Sequence, residues 1–398
     1  MTPIRLAIVT SHPIQYYAPL FRSLAQSGEV LPRVFFTWSQ TEAGPVRDAE
    51  FGRAISWDIP LLAGYEHEFV KNIARRPGTD HFWGLNTPGL AAAIEAWAPN
   101  ALLVIGWHSW SHLRALMHFK GRVPVFFRGD STLLDPRPVV RSVLRRGLLA
   151  WVYRHVDVAL AVGANNADYF RWCGPSGHVI RLVPHAVDTA RFAADAQRHA
   201  AQAREWRREC GIADAARVLV FAGKLIPKKD PVGLLRAFVS AVAADDELVH
   251  LVFVCEGALK GDLQAQAAGR RNVHFRPFQN QQSMPAVYRL GDVYVLPSLG
   301  PGETWGLAMN EAMATGSLVI ASDRVGGARD VVEHGRTGWI FRAGDHEALV
   351  RRIAALKTLD STQWTAMKAA SAERSQRWSI ESASTALKSA VLSGVRAQ

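Results

Sequence analysis

Cysteine is scarce in this chain. Three residues in 398, Cys173, Cys210 and Cys255, are odd in number and widely spaced, which excludes a disulfide framework and the paired spacing of a zinc site. No His, Cys and Asp set has metal-ligand spacing. There is no Asp-x-Asp motif, and Asp245-Asp246 reads as a solvated helix end. The Gly-rich P-loop signature ending in Lys-Ser/Thr is also missing, which argues against ATP hydrolysis of that kind. No apolar run approaches the ~20 residues that span a bilayer. The opening Met1–Thr10 stretch is too short in its apolar part for a signal peptide and predicts a first strand. No repeat of solenoid period is present, nor any low-complexity segment. These absences lead to the expectation of a reduced, cytoplasmic protein with no metal and no cofactor.

What is present is apolar bulk and positive charge. The apolar content is 48%, ample for a core, and the length suggests two domains. The formal net charge is +11, mostly arginine, and the pI is about 9.9. Such a surface suits nucleic acid, anionic lipid headgroups or an acidic substrate. The clusters are Arg137, Arg141, Arg145 and Arg146, then Arg204, Arg207 and Arg208. Arg141 and Arg145 with Leu144 and Leu148 make an amphipathic basic pattern, which also reads as an ordinary solvated helix face.

Short β-branched runs alternate with Ala- and Leu-rich helical segments. Six strands are predicted in each half, from Arg5–Val9 to Val179–Val183 and from Val218–Ala222 to Trp339–Phe341. This alternation predicts two α/β domains, each a doubly wound parallel sheet, with ligands at the carboxyl ends of the strands. The expected division is 1–190, 191–372 and a C-terminal helix over 373–398. The strandless Ala193–Ala216 stretch is expected to be the crossing.

Glu303-Thr-Trp-Gly-Leu-Ala-Met-Asn-Glu311 carries the most chemistry. It joins an apolar strand to a helix whose first N–H groups lie at a positive dipole end, where a phosphate can sit. Glu303 before the helix and Glu311 one turn inside it would bracket a ligand bearing hydroxyls on either side of a diphosphate, such as a nucleotide sugar. The alternative is a capping acid and a solvated helix acid. Upstream, the strand Val218–Ala222 runs into Gly223-Lys224-Leu-Ile-Pro-Lys-Lys229-Asp230. There a Gly admits a ligand to the backbone and lysines can neutralise a leaving diphosphate.

Taken together, Leu296-Pro-Ser298, Glu303-Thr-Trp-Gly-Leu307, Glu311-Ala-Met-Ala-Thr-Gly316, Gly326-Gly327 and Thr337-Gly338 resemble the retaining family 4 glycosyltransferases of GT-B fold. The implied architecture is two facing Rossmann-like domains with the active site between them. Trp305 stands where the family usually has Phe. The Lys loop resembles Gly-Arg-Leu-x-x-x-Lys-Gly, with Lys224 for Arg and Asp230 for Gly. Gly257 is kept from a Gly-x-Gly turn, and Phe278 lies where the family's nucleotide base packs. The resemblance implies donor binding by Gly223, Lys224, Lys229, Gly257, Phe278, Glu303, Thr304, Trp305, Gly306, Leu307 and Glu311.

In the first half, Ser11-His12-Pro-Ile-Gln15-Tyr16 is a motif shared by a bacterial subset of that family. It places His12, Gln15 and Tyr16 as acceptor contacts, with Arg128. Asp130 falls near the His that many members set beside the reacting sugar, and His108 is the other candidate for that role. The expected catalytic set is Lys229, Lys224, Glu303, His12, Asp130 and His108. Arg128 and Asp130 also read as an internal ion pair. The implied partners are a nucleotide-sugar donor, a glycan or lipid-linked acceptor and the anionic inner leaflet of a membrane, with peripheral attachment there and no nucleic acid. A GT-B nucleotide-sugar epimerase and a non-catalytic basic membrane-surface protein stay open beside the transferase.

Overall fold

The computed structural model describes residues 2–39, 46–48, 53–55, 57–136, 138–175, 177 and 179–396. Arg137 of the first basic cluster lies outside them.

Two parallel sheets form the scaffold, each within one of two compact units. The first unit comprises residues up to 46, 60–185 and 380 onward; the second comprises 47–59 and 186–379. In the first sheet the strands are β1 (Ile4–Thr10), β2 (Val30–Phe36), β3 (Glu66–Phe69), β4 (Ala101–Ile105), β5 (Val125–Gly129), β6 (Val158–Ala161) and β7 (Val179–Leu182), in the order β3-β2-β1-β4-β5-β6-β7. The second sheet holds β8 (Arg217–Ala222), β9 (Val249–Val254), β10 (Val273–Arg276), β11 (Val293–Leu296), β12 (Leu318–Ser322) and β13 (Gly338–Phe341), in the order β10-β9-β8-β11-β12-β13. Both orders reverse direction beside their first strand, the doubly wound pattern that opens a crevice at the strands' carboxyl ends.

The central strands are near-continuous apolar runs because helices cover both faces. Leu6, Ala7, Ile8 and Val9 of β1 and Val293 and Val295 of β11 have no exposed surface. β3 is the strand that periodicity does not predict. Its sequence, Glu-His-Glu-Phe, is polar because it is an edge strand paired only with β2.

The Ala193–Ala216 stretch, expected as a crossing, contains the helix Ala196–Glu209 and is part of the second unit's fold. Its Arg207 is buried, pairs with Asp292 at 2.8 Å and donates to the Leu290 carbonyl at 2.9 Å. Arg207 therefore leaves the second basic cluster. Besides the 47–59 excursion, the chain passes between units at 185/186 and at 379/380, and Val187 bridges to Ser379. The last helix, Ile380–Arg396, packs in the first unit against the helix Ala18–Gln26, and its Lys388 pairs with Glu29.

Candidate functional site

In the second unit the order reversal lies between β8 and β11, which pair through Leu219–Val293 and Val220–Tyr294. The loops leaving these two strands carry the lysines and Glu303. Tyr294, buried, fastens the strand ends by donating to the Ala222 carbonyl at 3.1 Å. Lys229 Nζ lies 2.9 Å from Glu303 Oε2, and Ser298 Oγ donates to the same oxygen at 3.2 Å. The two side chains are 19% and 9% exposed, so water screens this ion pair less than a surface one. An ammonium has three donors, so Lys229 can hold Glu303 and still offer protons elsewhere. Lys228 donates to the Gly302 carbonyl at 3.1 Å, and Leu299 N–H donates back to Lys228 at 2.9 Å, which locks the two loops together. Lys224 is half-buried in the first loop.

Asp230 explains one departure from the family pattern. Its φ is +50°, the left-handed conformation a Gly would adopt there, and its carboxylate caps the helix Pro231–Ala241 by accepting from Gly233 N–H at 3.0 Å. Asp tolerates that conformation and supplies the cap as well. Burial pushes its carboxyl above the usual range.

The helix Leu307–Ala314 starts from Gly306, whose φ is +86°. A Cβ there would meet Val325 Cγ1 at 2.6 Å and Leu296 Cδ2 at 2.9 Å, so only Gly fits. Its N-cap, a Gly, supplies no side-chain cap, and the helix start follows directly on the Glu303 loop. Glu311 is not a solvated helix acid: it is 2% exposed, and Tyr288 Oη donates to it at 2.7 Å. Thr304 and Leu307 are half-buried, as is Phe278 just beyond β10.

Two of the expected donor contacts also have work in the fold. Trp305 is buried against Trp378, ring centroids 5.0 Å apart, and its indole donates to Asn310 Oδ1 at 3.2 Å. Its side chain belongs to the core, which accommodates Trp for the usual Phe. Gly257 is required by the neighbouring loop, because a Cβ would sit 2.6 Å from the Leu225 carbonyl oxygen. Gly223 differs from both. A Cβ there would meet the Lys229 stem at 3.5 Å and the Phe221 ring at 3.9 Å, both ordinary contacts.

In the first unit the reversal lies between β1 and β4. His12 follows β1, with Nδ1 2.9 Å from Ser11 Oγ and its ring edge-on to Trp38 at 5.6 Å; burial lowers its pKa. Gln15 and Tyr16 are half-buried in the turn that leads to the helix Ala18–Gln26. His108 follows β4 and is exposed, within an aromatic group formed with Phe82, Trp83, Trp107 and Trp110. Asp130, half-buried, follows β5. Arg128 is 1% exposed and spends both terminal nitrogens on the fold, donating to the carbonyls of Val183 at 2.7 Å and Pro184 at 2.9 Å.

Sequence reasoning missed three groups. Tyr288 is far from Glu311 along the chain, so no local spacing links them. His112 is buried; its Nδ1–H donates to the Gly106 carbonyl at 2.8 Å, and Nε2 lies 3.1 Å from Thr37 Oγ1. Burial pushes its pKa down to about 4. The aromatic group had a readable signal in Phe82-Trp83 and Trp107-His-Ser-Trp110. Among the described residues no cluster of three or more His, Cys, Asp or Glu is placed to hold a metal ion.

Against known proteins, residues 202–374 match the family model of glycosyl transferases group 1. A D-inositol 3-phosphate glycosyltransferase of Nocardia farcinica is 30% identical over 220 residues, 52% of this chain and 45% of that protein. The enzyme of the same name from Streptomyces avermitilis is 29% identical over 74% of this chain and 62% of its own length. The chain thus spans about half the length of the curated relatives it matches. Among solved structures, Anabaena Alr3699/HepE in complex with UDP superposes with a TM-score of 0.71 at 17% identity, covering 98% of this chain and all of that one. This likeness establishes the fold, two Rossmann-like parallel sheets as in GT-B glycosyltransferase structures.

Proposed function

We propose that this chain is a retaining, metal-independent glycosyltransferase of the family 4 type. It moves a sugar from a nucleoside-diphosphate donor to an acceptor hydroxyl, in the cytoplasm, during assembly of a bacterial surface polysaccharide or glycolipid. The observation that carries the reading is the half-buried Lys229–Glu303–Ser298 cluster at the second sheet's reversal point, beside the uncapped helix that begins at Gly306. Cations and helix N–H groups there suit a diphosphate, and carboxylates on either side suit hydroxyls. The group 1 match spans this region, and UDP in HepE supports a uridine-type donor.

In this reading Glu311 holds the ribose and Glu303 the transferred sugar. The acceptor oxygen attacks the anomeric carbon on the face from which the diphosphate departs. The carbon–oxygen bond to phosphate breaks, and the acceptor proton passes to the leaving phosphate oxygen. Lys229, Lys224 and the helix N-terminus take the developing negative charge. The acceptor contacts are His12, Gln15 and Tyr16, with Asp130 and His108 as candidates beside the reacting carbon. The exposed Trp83 ring and the half-buried Phe82, Trp107 and Trp110 around His108 offer apolar faces to a sugar or its carrier.

The test is a panel of nucleoside-diphosphate sugars screened for thermal stabilisation, followed by transfer to a hydroxyl acceptor with the product's anomeric configuration read by NMR. Retention of configuration, with turnover unchanged in excess EDTA, is expected. Inversion, loss of turnover in EDTA restored by Mg²⁺, or epimerised sugar nucleotide formed without acceptor would overturn the reading.

A further inference from the structure

The helix Val139–Tyr153 has an apolar face that the first unit does not cover. Val139, Val140, Val143, Leu144, Leu148 and Trp151 are 41–78% exposed. Elsewhere in the described chain, exposed large apolar side chains are scattered singly or in pairs, which is ordinary for a protein surface. Six on one helix is not. At 3.6 residues per turn these six occupy about half the helix circumference. The opposite half holds Leu149, Val152 and Tyr153, all buried in the core.

The charges are arranged around that face. Arg141 and Arg146 fall at its two margins, and Arg154 follows the last turn. The helix contains no Asp or Glu, and among the described residues Arg141, Arg146 and Arg154 make no ion pair. Arg145 is different: it is half-buried and donates to Tyr169 Oη at 3.2 Å, so it belongs to the fold.

We propose that this face is a docking surface for an anionic lipid bilayer, with the helix lying in the headgroup plane. The apolar half enters the acyl boundary, Trp151 sits at the interface, and Arg141, Arg146 and Arg154 reach lipid phosphates. No described helix is long and apolar enough to cross a membrane, and this one, at 15 residues, is only about 22 Å long. Charge decides between a bilayer and a second copy of the chain. Stacking two such faces would bring the same unpaired arginines together with no acid to meet them, whereas an anionic surface pairs every one.

The probe is vesicles, of phosphatidylcholine alone or with an equal part of phosphatidylglycerol, sedimented with protein in low and high salt and without any sugar nucleotide. The proposal is thereby judged apart from the transferase reading. Wild type is expected to bind the anionic vesicles only, and less in high salt, where screening shortens to a few ångström. Replacing Val140, Leu144 and Leu148 with Ser, all solvent-facing and so harmless to folding, is expected to lower partitioning about tenfold or more. Arg141→Gln with Arg146→Gln and Arg154→Gln is expected to bring low-salt binding down to the high-salt level of wild type. No wild-type binding at low salt, or equal binding by the serine variant, would overturn the proposal. So would a wild-type dimer in light scattering that the serine variant dissolves, since a second copy would then cover the face.

Discussion

The two sheets share one order over six strands, the first adding a seventh at its edge, yet the crevices at their reversal points are built from different chemistry. In the second unit the crevice holds charges in contact, Lys229 on Glu303, next to an uncapped helix start. In the first unit the corresponding region is lined mainly by rings, with Asp130 and Arg128 as the charges close to Tyr17. His12, His112 and His185 are all pushed down by burial, and burial raises the Tyr17 hydroxyl. Its one large cation there, Arg128, is sealed into the fold by two carbonyls. Ionic groups and helix N–H donors suit an anion; neutral imidazoles and phenols suit hydroxyls. A doubly wound sheet supplies the same backbone crevice twice, and the side chains at the strand ends decide what each one binds.

The comparison breaks hardest at Lys229. If its ammonium stabilises a departing diphosphate, Lys229→Ala is expected to lower turnover about 10²-fold or more. Arg at 229 should restore part of it. Steady-state kinetics with saturating donor are the measurement. A loss confined to KM, with kcat intact, would mean that Lys229 only binds and does not serve the transition state.

The buried imidazoles of the first unit have a pH signature. His112 is held at about 4 in the fold, against an ordinary 6.5. Between those values the unfolded chain binds a proton that the folded chain refuses, so stability rises with pH there. His112 therefore leaves stability undiminished above about 6.5 and erodes it as pH falls toward 4, by on the order of 2 kcal/mol between about pH 7 and pH 5. Denaturant melts at those two pH values check this. His112→Asn is expected to be less stable at neutral pH but to show a flatter pH dependence. An unchanged pH dependence in that variant would assign the slope to other groups.

Much of this was legible in the sequence, and the misses have physical causes. Apolar runs such as Leu6–Val9 and Val293–Leu296 announce buried parallel strands because nothing else uses them. Edge strand β3 hides because one face and one side stay wet, so Glu66 and Glu68 cost nothing there. The Glu303–Glu311 stretch was readable because strand, turn and helix start lie within a dozen residues. What sequence could not supply is which polar groups the fold consumes. Arg128, Arg145 and Arg207 look alike on paper and are all taken up internally, by carbonyls, a phenol and Asp292. Tyr288 and Glu311 meet only through packing of two helices. The apolar half of Val139–Tyr153 was masked by interleaved arginines and emerges only when burial separates its two sides.

Within the second unit, the two acids sharpen the picture further. Glu311 is buried and Tyr288-bound, whereas Glu303 shares its charge with Lys229 and Ser298. Glu311→Gln is expected to weaken a nucleoside diphosphate about tenfold, the worth of a hydrogen bond to a charged group. Glu303→Gln should leave that affinity nearly unchanged and cost turnover instead. Calorimetry with the diphosphate alone separates them, and equal losses in both variants would dissolve the assignment of ribose to one acid and sugar to the other.

The smallest expected effect comes from one added methyl group. Gly306 is demanded by the fold, since its φ is +86° and a Cβ would lie 2.6 Å from Val325; Gly306→Ala should lower stability whatever the site binds. Gly223 is under no such demand. Its Cβ would make only ordinary contacts, with the flexible Lys229 stem at 3.5 Å and the Phe221 ring at 3.9 Å, so Gly223→Ala should melt within ~0.5 kcal/mol of wild type. A glycine that the fold does not require, directly after the strand at the reversal point, has a reason to be there if a ligand approaches its backbone. Gly223→Ala is therefore expected to weaken diphosphate binding several-fold while leaving the melting temperature in place. If both are unchanged, the diphosphate lies farther from β8 than the lysine loop implies, and the anion-selecting crevice is centred on the Gly306 helix alone.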